Sequence, residues 1–222
     1  MAAEWVARGH PCSENTAARL AWEHGIQAKA SRRRVRATDS NHRLPVAANR
    51  PARAFGPTAP NTAWPAGITY LPTREGWRFL AVVEGLFRRM IVGWSTAETM
   101  ERRWVVDALH LALGRRRPAA GLLAHSDRGG PYASDHYQRA LAAAGIACRM
   151  SEVGQCWDNA PVERFFGRLK TDLAPEAFET RHQARAERFE YLDVFYNRVR
   201  LHSPLGLVSP TEFERAYHLP HP

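Results

Sequence analysis

Two carboxylates stand out for where they fall in the chain. Asp127 sits in HSDRGGPYAS, directly after the short apolar run LLAHS, and Glu163 sits in GQCWDNAPVERFFGRLKTDL, just inside a helical pattern. A carboxylate delivered at the carboxyl end of a strand stands where open α/β sheets meet their ligands. Arg128, Gly129, Gly130 and Pro131 add little bulk around it. A second carboxylate in the first turn of a later helix can converge with it on a divalent cation. Hard oxygen ligands suit Mg²⁺ or Mn²⁺, and paired ions stabilise both the attacking and the leaving oxygen in phosphoryl transfer. Each acid also has a plainer alternative. Asp127 can simply cap its loop, since Asp-containing turns are frequent. Glu163 and Lys170, two helical turns apart on one rim, can be ordinary exposed helix residues.

These side chains need a scaffold, and the pattern around them predicts one. AGITYLPT, GWRFLAVVEG and RRMIVGWST are β-rich runs separated by the short breaks REG and LFR, the spacing of an antiparallel meander. TMERRWVVDALHLALGRR repeats apolar residues at 100, 104, 108 and 111 with a helical period. GLLAHSD supplies a fourth strand and IACRMS a fifth. SDHYQRALAAAGI between them opens on a Ser-Asp cap and sets Tyr137, Ala140, Leu141 and Ala144 on one face. In NAPVERFFGRLKTDLA, Pro161 suits a first turn, Asp158 or Asn159 can accept the free N–H groups, and Val162, Phe165, Phe166, Leu169 and Leu173 share the core side. RHQARAERFEYLDVFYNRVR predicts a long helix with Phe189, Leu192, Phe195, Tyr196 and Val199 as its buried stripe. The sum is an α/β fold: a mixed five-stranded sheet flanked by helices.

Gly67 interrupts the first strand, in WPAGITYLPT. Glycine weakens a strand, so it marks a bulge or a place where something comes close. Two nearby acids, Glu75 in the following turn and Glu84 on the second strand, are expected at the surface.

The chain carries 31 Lys and Arg against 22 Asp and Glu, a formal charge of +9, with a pI near 10.2. Such a balance favours a polyanionic partner, because Lys and Arg gain affinity by releasing phosphate counterions. Cys12, Cys148 and Cys156 are far apart and form no C-x-x-C pair. They are expected to be isolated reduced thiols. No apolar run of about eighteen residues and no apolar leader occur, which predicts a cytoplasmic protein without a membrane span.

The first part of the chain has a different character. ENTAARLAWEHGIQ predicts a short helix with a thin stripe of Ala18, Leu20, Ala21 and Ile26. SRRRVR follows, and then a Pro-rich stretch held extended by Pro51, Pro57, Pro60 and Pro65. Arg32, Arg33, Arg34 and Arg36 make either a solvated tail or an arm for phosphate contacts. The expected division is 1–62 for the helical remnant, basic arm and linker, and 63–222 for the compact core.

From roughly residue 16 onward the chain resembles bacterial insertion-sequence transposases with a retroviral-integrase-type core, the OrfB group of the IS-three family. The matching segments are LPVAANRPARAFGPTAPNTAW, ITYLPTREGWRFLAVVEGLFRRMIVGW, HSDRGGPYAS, GQCWDNAPVERFFGRLKTDL and YNRVRLHSPLGLVSPTEF, in family order. The resemblance implies an RNase H-like fold, Mg²⁺- or Mn²⁺-dependent DNA cleavage and strand transfer, and a triad of two Asp and one Glu. It assigns Asp127 to the second Asp and Glu163 to the Glu, with 35 residues between them. Lys170 falls on a basic position associated with binding the element's DNA end. Family members usually place helical DNA-binding modules before the core, and ENTAARLAWEHGIQAK resembles the last of them.

The resemblance also gives Gly67 a meaning. The family's first Asp lies in a strand like W-x-x-D-I-T-Y, which here reads Trp64-Pro65-Ala66-Gly67-Ile68-Thr69-Tyr70. Glycine thus stands at the first metal-binding position. A second departure is Gly85, where the family commonly carries an acid. The expectation is a transposase core that is catalytically impaired, with weakened Mg²⁺ or Mn²⁺ binding, acting on DNA as a homo-oligomer or in mixed complexes with an intact transposase. The alternative is a DNA-binding and assembly remnant without catalysis. An RNA–DNA hybrid nuclease would share the fold class but lacks the VGQCWDNAPVERFFGRLK signature.

Overall fold

The computed structural model describes residues 2–27, 57–99, 101, 103–151, 159–173 and 177–219. The basic cluster of Arg32, Arg33, Arg34 and Arg36 lies outside them, as do Cys156, Trp157 and Asp158.

Strands β1 (Ala63–Thr73), β2 (Gly76–Gly85) and β3 (Met90–Ala97) form the antiparallel meander that the period-2 runs predict. Strands β4 (Leu123–Ser126) and β5 (Ala147–Met150) add in parallel on the other side of β1, giving the order β3-β2-β1-β4-β5. β1 is therefore central. Parallel neighbours need crossovers, and helix packing supplies them. Helix α3 spans Arg103–Arg116 and α4 spans Asp135–Ala143, the latter capped by Ser134. Before the sheet lie α1 (Ala2–Ala7) and α2 (Glu14–Glu23).

Alternation along the strands divides the apolar side chains into two cores. Ala66, Ile68, Ala81 and Val83 pack with Trp104, Val105, Ala108, Leu109 and Ala112 of α3 and with Tyr137 and Leu141 of α4. Gly93 allows this approach: a Cβ there would stand 2.2 Å from the Ala108 carbonyl oxygen and 2.7 Å from the Ala112 Cβ. The opposite face buries Leu71, Leu80 and Val82 beneath Val162, Phe165 and Leu169 of α5 (Ala160–Leu173) and Ala184 of α6 (Arg181–Phe189). Each large apolar side chain buried this way stabilises the fold by roughly 1.5–3 kcal/mol.

Three expectations about packing need correction. After α6 the chain winds as a π-helix over Glu190–Val199. Bonding from i to i+5 places Tyr191 over Tyr196 and Leu192 over Asn197, and these four are buried. Of the stripe read at α-helical period, Phe189, Phe195 and Val199 are instead 52%, 40% and 47% exposed. The stripe of α2 is likewise not a buried face: among its described residues only Ala17 is buried, and Ile26 beyond its end is exposed. Glu84, expected at the surface, is 1% exposed.

The carboxyl-terminal helix α7 (Pro210–His218) starts in a capping box formed by Ser209 and Glu212. It is fastened by Glu214, which pairs with the buried Arg88 and with Arg116 at the end of α3. Phe87 packs against Phe213 and Tyr217 of the same helix.

Candidate active site

Asp127 follows the last residue of β4, and its Oδ1 accepts a 2.8 Å hydrogen bond from the Gly129 N–H. That bond closes the small loop the glycines permit. Around it, the Arg128 Nε donates to the Ser151 carbonyl at 2.6 Å, and the His125 Nε2 and Ser151 Oγ lie 3.1 Å apart, which ties the end of β4 to the end of β5. His125 thus has a structural partner at the strand end.

The parallel register matches Pro65 with His125. Gly67 comes two residues after Pro65 on β1, and Asp127 two residues after His125, just beyond the end of β4, so the glycine continues the strand toward the end where the carboxylate loop begins. On its other side Gly67 pairs with Val82, whose side chain belongs to the core beneath α5. The face that Gly67 turns toward α5 is where a side chain would project. A Cβ built there would lie 2.5 Å from the Val162 Cγ1 and 3.0 Å from the Phe166 Cε2. The close approach that a glycine inside a strand signals is therefore the approach of α5.

Glu163 immediately follows Val162 in the first turn of α5, half-buried, where the positive end of the helix dipole favours a carboxylate. The helix start is anchored by Asn159, whose Nδ2 donates to the Ala66 carbonyl at 3.3 Å. Asp127 thus follows the strand paired with β1, and Glu163 follows the α5 residue that meets Gly67. Lys170 lies further along the same helix, with its Nζ 4.9 Å from the centre of the Tyr70 ring on β1, and burial lowers its pKa.

The donors are hard carboxylate oxygens, the kind that suit Mg²⁺ or Mn²⁺. Among the described residues no group of three His, Cys, Asp or Glu side chains is placed to hold a metal ion. Glu75 is spent elsewhere, accepting the Arg181 N–H at the start of α6. Glu84 lies two residues beyond Val82, and burial raises its pKa to about 7, partly offset by Arg89 and Arg164. Its Oε2 has no hydrogen-bond partner among the described residues.

Comparison with known proteins identifies the family. The description "Integrase core domain" matches residues 57–156, and a second one with the same description matches residues 144–210. The "Insertion element IS600 uncharacterized 31 kDa protein" of Shigella sonnei is 42% identical over 90% of this chain and 74% of its own length. The "Transposase InsF for insertion sequence IS3A" of Escherichia coli is 41% identical over 95% of this chain and 74% of its own length. The chain belongs to the insertion-sequence transposases that carry an integrase core. Solved structures agree on the fold of this transposase. A chain of the simian T-cell lymphotropic virus intasome superposes with a TM-score of 0.59 at 15% identity, covering 89% of this chain and 65% of its own. The HTLV-2 integrase catalytic core domain in complex with magnesium gives 0.52 at 15% identity, covering 70% of this chain and 97% of its own. The RNase H-like α/β fold follows.

Some participants were not singled out from the sequence of the transposase. Val162 and Phe166 read only as core-side residues, because nothing local says which strand residue they will meet. Asn159 reads as a cap, yet its side-chain amide is used to pin α5 to β1. His202 is buried against the Tyr196 ring, and its backbone closes the turn before α7, in line with a structural role.

Proposed function

We propose that this transposase core grips DNA while lacking most of the family's strand-transfer activity, because Gly67 stands where the first metal-binding carboxylate belongs. One observation carries the reading: Gly67 lies at the centre of β1, between the loop of Asp127 and the helix of Glu163. A carboxylate at that place would make a third arm with the other two. With glycine there, a divalent cation has two hard ligands and is held more weakly.

A cation at such a site supplies positive charge that stabilises the developing charge on phosphoryl oxygens. The chain's own residues set how well that can happen. Asp127 is held by its loop N–H, and Glu163 by the anchored helix start. Gly67 contributes neither an oxygen nor a negative charge. The loss is expected to be several kcal/mol of transition-state stabilisation, where about 1.4 kcal/mol is tenfold, so roughly a thousandfold or more in rate.

DNA binding need not fall with catalysis. The net charge is +9, and Lys170 lies further along the helix that carries Glu163. A chain that binds without joining would occupy element ends alone as a homo-oligomer or in mixed complexes with an intact transposase. A relative named as a transposase supports this reading. The test is strand joining on DNA carrying element ends, with Mg²⁺ or Mn²⁺. The natural chain is expected at background, and substantial joining by it would reject the impaired site.

A further inference from the structure

We infer that the slot left by the missing carboxylate is filled: α5 has closed onto β1 with Val162 seated over Gly67, so Gly67→Asp alone does not rebuild the site and a second change at Val162 is required. The inference deepens the impaired-site reading and rests on it for its functional meaning, though the packing stands by itself.

The distances decide the matter. Carbon atoms settle about 3.5–4.0 Å apart, whereas a Cβ at Gly67 would be 2.5 Å from the Val162 Cγ1 and 3.0 Å from the Phe166 Cε2. β1 and α5 would have to part by about 1 Å to admit even that one carbon. Val162 cannot swing its methyl aside, because a β-branched side chain in a helix has one strongly preferred χ1. It cannot retreat either, being fully buried in the core with Phe165 and Leu169. The Phe166 ring is only partly buried and can tilt, so Val162 is the obstacle. Asn159 bonded to the Ala66 carbonyl resists separation at the helix start. An Asp side chain would in addition push a carboxylate against a methyl group and an aromatic ring, an environment that disfavours charge.

The same contact couples the missing arm to a remaining one. Glu163 is joined to Val162 by one peptide bond, so moving Val162 away from β1 moves Glu163 too. Restoring an acid at residue 67 against Val162 therefore displaces the acid at residue 163. Removing both Val162 methyls frees the slot and leaves Glu163 in place.

The sign of a simple substitution tests this. Gly67 is not among the positive-φ glycines, so Ala at such a strand position would ordinarily stabilise by about 0.5–1 kcal/mol. A rise in Tm is what open space would give. In metal-free buffer with chelator, Gly67→Ala is expected to lower Tm by about 3–8 °C, and Gly67→Asp by more. In a Val162→Ala background the Gly67→Ala penalty should vanish or reverse, a coupling between contacting residues. Mn²⁺ titration followed by Tm should then stabilise Gly67→Asp/Val162→Ala more than Gly67→Asp. A Gly67→Ala chain as stable as the natural one or more so, or equal Mn²⁺ stabilisation with and without Val162→Ala, would overturn the filled slot. Strand joining by the natural chain bears only on the impaired-site reading, so the two can fail separately.

Discussion

Glu84→Gln offers a quantitative check on the packing beneath α5. The carboxyl is buried, faced by Arg89 after β2, Arg164 on α5 and Tyr196 on the π-helix, and burial raises its pKa from 4.5 to about 7. Between those values the folded chain keeps a proton that the unfolded chain has released. Stability from this group is therefore full below pH 4.5, falls as pH rises, and levels off above about 7. At 1.36 kcal/mol per pKa unit the total is about 3 kcal/mol. Gln keeps the shape without titrating. The variant should match the natural chain near pH 5 to within about 1 kcal/mol and exceed it by up to about 3 kcal/mol near pH 8. His202 runs the other way: burial and Arg200 lower its pKa to about 4, so its contribution grows as pH rises from 4 to 6.5. Both proteins share that term, and it cancels in their difference. Urea unfolding of the two chains at half-unit steps from pH 5 to 8.5 measures the difference directly. A difference that stays constant across this range would refute the claim that Glu84 is buried and protonated in the fold.

Two further outcomes follow from side chains already placed. Glu214→Ala leaves the guanidinium of Arg88 buried without its partner and loosens Arg116, so urea unfolding should show a loss of about 3 kcal/mol with an unchanged m-value. Lys170→Ala should weaken DNA binding evenly across sequences and reduce the slope of log affinity against log salt by about 1, as read by fluorescence anisotropy.

The meander, the two later strands and the helix order were legible because alternation and helical period directly report which faces are buried. Gly67 was legible as a close approach, since glycine in a β-rich run has few other uses. What approached it was not, because Val162 reaches it from the far end of the chain's fold. The buried stripe after α6 was misread for a definite reason: π-winding adds a residue per bonded turn, and it turned Phe195 and Val199 outward while bringing Asn197 in. Asn197 then bonds both backbone groups of Ile91, at 2.9 Å each, an arrangement no local pattern announces. Glu84 was misjudged because an acid on a strand usually marks the solvent face. Here it faces α5 and the π-helix instead. The local positions of Asp127 and Glu163 were legible, the one directly after β4 and the other in the first turn of α5.

The most direct test of the central claim compares strand joining by the natural chain and by Gly67→Asp/Val162→Ala on DNA with element ends in Mn²⁺. Natural chain at background, with the double variant faster by about a thousandfold or more, is the predicted result. Joining by the natural chain within tenfold of the double variant would contradict the account.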